Sequence, residues 1–204
     1  MLARRLIQLY AGLVLYGFSV ALMVRANLGT NPWNVLHQGV ALRTGLSFGT
    51  VVILVGAVVL LLWLPLRQKP GIGTVSNILV IGIAADFSLG LIAAPQNYGA
   101  RFALLLLGIL LNGMAGGAYI GAGLGPGPRD GLMTGFERRS GRSLRLVRTG
   151  IEIAVLVIGW LLGGTAGVGT LLYALAIGWL VQFFLPLATV RPREAAAPEA
   201  GLAL

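Results

Sequence analysis

The stretch LGTNPWNVLHQG at residues 28–39 returns as LGPGPRDGLMTG at residues 124–135, 96 positions further on. At that offset, with no gap, Gly12 and Gly17 align with Gly108 and Gly113, Gly45 and Ser47 with Gly141 and Ser143, and GIGT from Gly71 with GVGT from Gly167. Residues 12–87 and 108–183 share 23 identities in 76 positions. A duplicated unit is therefore the first constraint on the fold.

What is duplicated is apolar. The chain is 57% hydrophobic and 10% charged, with runs too long for strands or ordinary core helices, so it reads as an integral membrane protein. Its net charge of +9 does not point to nucleic acid, because the basic residues sit between apolar runs and do not form one basic domain. There is no cysteine, hence no disulfide framework, thiol nucleophile or thiolate metal site. Arg4, Arg5 and the small residues Ser19-Val20-Ala21 mimic a secretory signal. Residues 12–26 recur in mid-chain at 108–122, which favours a retained helix.

Six runs are long enough to span, at about 6–24, 47–64, 73–92, 101–120, 145–162 and 168–187. With the N-terminus inside, Arg4, Arg5, Arg67, Lys69, Arg129, Arg138, Arg139, Arg142, Arg145, Arg148, Arg191 and Arg193 are cytoplasmic. Only Arg25, Arg43 and Arg101 are outside, which places both termini in the cytoplasm. The expected fold is an all-α polytopic membrane protein: six transmembrane helices as two inverted three-helix repeats, about 6–92 and 101–187, in one domain over 1–190. Residues 191–204, rich in Ala, Pro and Glu, read as a short disordered cytoplasmic tail.

Each repeat also carries a short helix. Asn31 caps and Pro32 starts the first, over about 32–43; Gly127 and Pro128 precede the second, over about 129–139. Neither is long enough to cross. Each is either an interfacial helix or a re-entrant half-helix whose irregular start is buried in protein or faces water.

Candidate pathway or ligand residues follow from helical spacing. Asn34 and Gln38 share one face of the first short helix, and their aligned partners Asp130 and Thr134 share the same face of the second. Solvent-facing positions on amphipathic helices would produce the same pattern. Arg129 replaces Trp33; with its helix start buried it would favour an anionic or carboxylate-bearing ligand, and at the surface it would mark the cytoplasmic side. Asp86 lies inside the third span, aligned with Gln182, with Arg25 or Arg101 as expected partners; a structural ion pair or neutral acid competes with a proton or solute site. Arg148 and Glu152, four apart, read as an intrahelical pair. Tyr16 aligns with Asn112, and Asn77 with Tyr173, polar in both copies and suited either to lining a pathway or to helix–helix hydrogen bonding. His37, the one histidine, could relay protons or bind a ligand, with a surface or capping residue as the favoured reading.

At ANLGTNPWNVLHQG, TGLSFGT and GIGTVSNILVIGIAADF the chain resembles the bacterial YitT/YczE-like integral membrane proteins, the YczE-like branch above all. Leu28, Gly29, Pro32, Trp33, Val35 and Leu36 match that branch's LGxxPWDVL-like segment, with Asn34 in place of Asp and the acidic form at Asp130. The resemblance spans about residues 6–187 and implies a bacterial cytoplasmic membrane location without assigning a catalytic or ligand residue. The residues point to a transporter of a small polar or anionic solute, with a passive channel or a noncatalytic membrane partner as alternatives. No enzyme, cofactor or metal site is expected, and the bilayer is the expected surrounding partner.

Overall fold

The computed structural model describes residues 2–190, so the expected tail at 191–204 lies outside the described residues. Eight helices follow in order: α1 (Leu2–Ala26), α2 (Pro32–Thr44), α3 (Phe48–Leu66), α4 (Ile72–Leu91), α5 (Tyr98–Gly121), α6 (Pro128–Ser140), α7 (Leu144–Leu161) and α8 (Val168–Ala188). Their boundaries lie within a few residues of the sequence reading. The number that can span does not.

Five of the eight, α1, α3, α4, α5 and α8, are long and apolar enough to cross a membrane. This overturns the expectation of six transmembrane helices in two inverted three-helix repeats. The missing one is α7. Its 18 residues include Arg145, Arg148 and Glu152, and ionic side chains in an apolar layer are tolerated only against a partner or a cavity. The second copy therefore supplies two apolar spans, α5 and α8, against three in the first.

The core forms where α1 crosses α5. Gly12 lies against the backbone of Ala115 and Tyr119, and Gly108 against the carbonyl of Ser19, so two small residues related by the 96-residue offset let the helices approach closely. Leu9, Leu13, Val20, Met23, Leu105 and Ile109 fill the space between. α4 then packs on α1 beside Gly17, and α8 packs on α5 beside Gly113. The large exposed side chains, such as Leu54, Leu61, Ile83, Leu106 and Phe183, are what a lipid-facing surface requires.

The short helices are exchanged. α2 rests on α7, with Gly39 against the Gly159 carbonyl, whereas α6 rests on α3, with Gly131 under the Trp63 ring and Gly135 against Leu66. Each copy thus lays its short helix on the long helix of the other. The glycine strings make the same exchange. The N–H of Gly73 donates to the Leu124 carbonyl (2.9 Å), and that of Gly169 donates to the Leu28 carbonyl (2.7 Å), so each loop carbonyl satisfies an otherwise orphan donor at a helix start. Gly29 (φ +99°) and Gly125 (φ +125°) take up backbone conformations that side-chain-bearing residues rarely adopt, which is why LG recurs in both copies.

One pairing is not reproduced. α3 lies along α4, clasped where Gly49 meets the Gly82 carbonyl, but the corresponding α7 and α8 are parted by a cavity.

Candidate functional site

The two short helices begin at the same place. Pro32 and Pro128 open α2 and α6 without wasting an N–H, and Asn31 caps α2 as expected, its Oδ1 accepting from the Asn34 N–H at 2.9 Å. The α2 start lies in the interior, with Asn31 3% and Trp33 6% exposed, whereas at the α6 start Gly127 and Pro128 are buried, Arg129 is half-buried and Asp130 is exposed. The Arg129 guanidinium lies 4.9 Å from the centre of the Trp33 ring, so two positions aligned by the duplication stack on each other where the copies meet. Trp63 fixes the junction by donating from Nε1 to the Pro128 carbonyl at 3.0 Å.

Around this junction lies a cavity of about 360 Å³. Its polar lining comes from both copies: Tyr16, Asn77 and Asn31 from the first, and Tyr119, Asp130 and Tyr173 from the second. Arg148 and Glu152 form its α7 wall, ion-paired at 3.0 Å as their spacing predicted. The Tyr119 hydroxyl donates to Asp130 Oδ2 at 3.1 Å, and the Tyr16 and Tyr119 rings meet edge to face. Behind Tyr173, a chain of hydrogen bonds holds the wall. The Tyr173 hydroxyl donates to Asn112 Oδ1 (2.8 Å), Asn112 Nδ2 donates to Ser19 Oγ (2.8 Å), and Ser19 donates to the Tyr16 carbonyl (2.6 Å).

Of the six candidates read from sequence, Arg129 and Asp130 reach the cavity, and four do other things. Asn34 is buried and donates to Thr30 Oγ1. Gln38 accepts from the Thr165 N–H at 3.0 Å and ties α2 to the loop before α8. Thr134 donates back to the Gly131 carbonyl. Asp86 caps α3, accepting from the Gly49 N–H (2.6 Å) and from Ser47, and pairs with neither Arg25 nor Arg101; those arginines donate to the carbonyls of Leu89 and Pro95. A carboxylate at a helix N-terminus meets partial positive charge, so Asp86 needs no cationic partner.

His37 is buried, not at the surface. It is 1% exposed, packs edge-on to Phe48, and borders a smaller cavity of about 30 Å³ with Trp33 and Arg129. Burial first, and then the Arg129 charge, hold its pKa well below 6.5. The unfolded chain thus takes up a proton near pH 6.5 that the folded chain refuses. Stability is complete above that pH and falls as pH drops below it, by at most about 1.4 kcal/mol per unit. Melting curves of the purified protein between pH 8 and pH 5 should show this slope, and His37→Gln should flatten it. An unchanged slope in the variant would assign the acid sensitivity to other groups.

The family of unknown function DUF6198 has a model that matches residues 3–186. The chain belongs to this family. This bears out the resemblance read from its LGxxPW segment and glycine strings. Among relatives of this family member, an "Uncharacterized protein" of Haemophilus influenzae is 42% identical over 85% of this chain and 79% of its own length. The "Uncharacterized membrane protein YczE" of Bacillus subtilis is 35% identical over 87% of this chain and 83% of its own length. "Uncharacterized protein YyaS" of the same organism is 25% identical over 86% of this chain and 90% of its own length. No solved structure matches. The family member is a bacterial multi-pass membrane protein.

Proposed function

We propose that this protein is a transporter of a small polar solute, and not an enzyme, with the cavity at the α2–α6 junction as the solute site. One observation carries the reading: a cavity of about 360 Å³, walled by polar groups from both copies, sits among helices whose outer faces are apolar. Its acids are engaged in positioning, Asp130 with Tyr119 and Glu152 with Arg148. The parted α7 and α8, set against the clasped α3 and α4, support a site that opens on one side at a time.

The proposed location is the cytoplasmic membrane with the N-terminus inside. In support, the α3–α4 and α5–α6 loops touch each other and the first carries Arg67 and Lys69, while Arg43 lies with the α7–α8 loop, donating to the Leu162 carbonyl.

Cysteine placed singly at Asn77 or Ala174, both on the cavity wall, tests the reading against Leu61→Cys on the apolar exterior. In sealed vesicles of each orientation, a membrane-impermeant maleimide should label both cavity positions from either face and leave position 61 unlabelled. Asp86→Asn should not alter the pattern. Labelling of the cavity from one face alone would sink the transport reading.

A further inference from the structure

We infer that the solute taken by this cavity is a small monocarboxylate, held at the N-terminus of α6. The inference rests on the cavity being a solute site and adds what the site recognises.

The two short helices begin alike but are capped differently. In α2 the Asn31 side chain supplies an acceptor to the first turn; in α6 the aligned residue is Gly127, and no side chain caps the helix. An added Cβ at Gly127 would lie 3.0 Å from Asp130 Oδ2 and 3.1 Å from the Tyr119 hydroxyl, so the position faces the cavity lining directly. The second copy therefore has helix-start N–H groups where the first copy has spent its own on an amide oxygen.

The neighbouring side chains lack the same thing. Asn31 Nδ2 and Trp33 Nε1 are buried donors with no acceptor among the described residues, and both residues border the cavity. A buried donor left without a partner is costly, and a small turn of either side chain toward the cavity would let a ligand supply the acceptor. Arg129, stacked over Trp33, has no carboxylate within ion-pair distance among the described residues, whereas Arg148 is already paired with Glu152. Asp130, held by Tyr119, also has no cationic partner among the described residues, but the unpartnered Asn31 and Trp33 donors call for acceptors and Arg129 for negative charge. A carboxylate group meets them with two oxygens and one charge.

Asp130 limits the charge. Its carboxyl lies beside the same helix start and is held by Tyr119, so a second negative charge on the ligand would meet repulsion that a single one, closer to Arg129, does not. This favours a monocarboxylate over phosphate. Beyond the polar junction the walls are Tyr16, Ile81, Tyr173 and Ile177, which suit a compact apolar or aromatic body.

The test is calorimetric titration of the purified full-length protein with acetate, butyrate and benzoate, alongside butyramide, benzamide, benzylamine and inorganic phosphate. At least one carboxylate should bind about tenfold or more tighter than its own amide, and phosphate should bind more weakly still. Arg129→Gln should cost that carboxylate about tenfold or more. Trp33→Phe keeps the ring over which Arg129 stacks and removes only the indole donor, so a several-fold loss there guards against a misfolded Arg129 variant. Gly127→Asn, which gives α6 the acceptor that α2 has, should also displace the ligand. Equal binding of acid and amide, or preferred binding of benzylamine that depends on Asp130, overturns the carboxylate while the cavity remains a solute site. Binding of none of these probes, with Asn77→Cys still labelled from both faces, likewise removes the carboxylate alone. No binding together with labelling from one face removes both readings.

Discussion

Replacing Gly169 with alanine is expected to prevent stable assembly of the protein, although the change adds one methyl group to a residue that makes no side-chain contact. The new Cβ would lie 2.3 Å from the Gly29 carbonyl oxygen and 2.9 Å from Leu105 Cδ1. A flexible side chain could move aside; a loop carbonyl at φ +99° whose neighbour, the Leu28 carbonyl, accepts the Gly169 N–H has little room to do so. Overpacking of this kind costs about 3 kcal/mol, a large share of a marginal stability. Gly73→Ala attacks the equivalent contact, with a Cβ 2.9 Å from the Leu124 carbonyl, and should behave similarly but less severely. Gly90→Ala, which has nothing within 4 Å, is the control and should leave melting unchanged. Fluorescence-detected size exclusion of the three variants after heating decides the matter. If Gly169→Ala survives as well as Gly90→Ala, the exchanged loops are not what holds the copies together.

The second large effect concerns the unmade pairing. Gly49 and Gly82 touch where α3 meets α4, and their aligned residues are Arg145 and Gly178 on the parted α7 and α8. If α7 and α8 close as α3 and α4 do, these two positions come within the separation of about 7 Å that a disulfide tolerates. A chain carrying both Arg145→Cys and Gly178→Cys should therefore cross-link under mild oxidation, and the cross-linked form should lose solute flux, recoverable with a reducing agent. Gly178 has open space around it and Arg145 is exposed, so neither change disturbs packing. The absence of native cysteine makes the readout unambiguous. Flux that persists in fully cross-linked protein would show that the α7–α8 opening does not belong to the transport cycle.

The helices and the duplication could be read from the chain because both leave periodic marks: long apolar runs, proline at helix starts, glycine where backbones meet. The fate of α7 could not. Its average apolarity hides the position of Arg148 and Glu152, which face the cavity, so a run that reads as a span has a polar side. The partner of Asp86, expected to be Arg25 or Arg101, could not be read for a related reason. The partners it has, Ser47 and Gly49, lie on the preceding helix start, and spacing along one helix carries no record of them. Within the site, Arg129 and Asp130 stood out as charges at a helix start. Tyr119 did not, because its aligned counterpart is Met23 and a single tyrosine in an apolar run has no pattern to mark it. Tyr16, Asn77 and Tyr173 were marked, since their positions stay polar in both copies.

The crosswise hydrogen bonds have the form of a symmetric subunit interface. Leu28 serves Gly169 and Leu124 serves Gly73, so position i of one copy meets position j of the other, and j meets i, as in an isologous dimer. The chain holds within one molecule the interface that two separate copies would otherwise have to find by collision. The short connection at residues 92–97 makes that encounter intramolecular and independent of how much protein the cell makes. It also frees the copies from being identical, so that one could keep Asn31 as its own cap while the other, with Gly127, gave up that acceptor and left its helix start open.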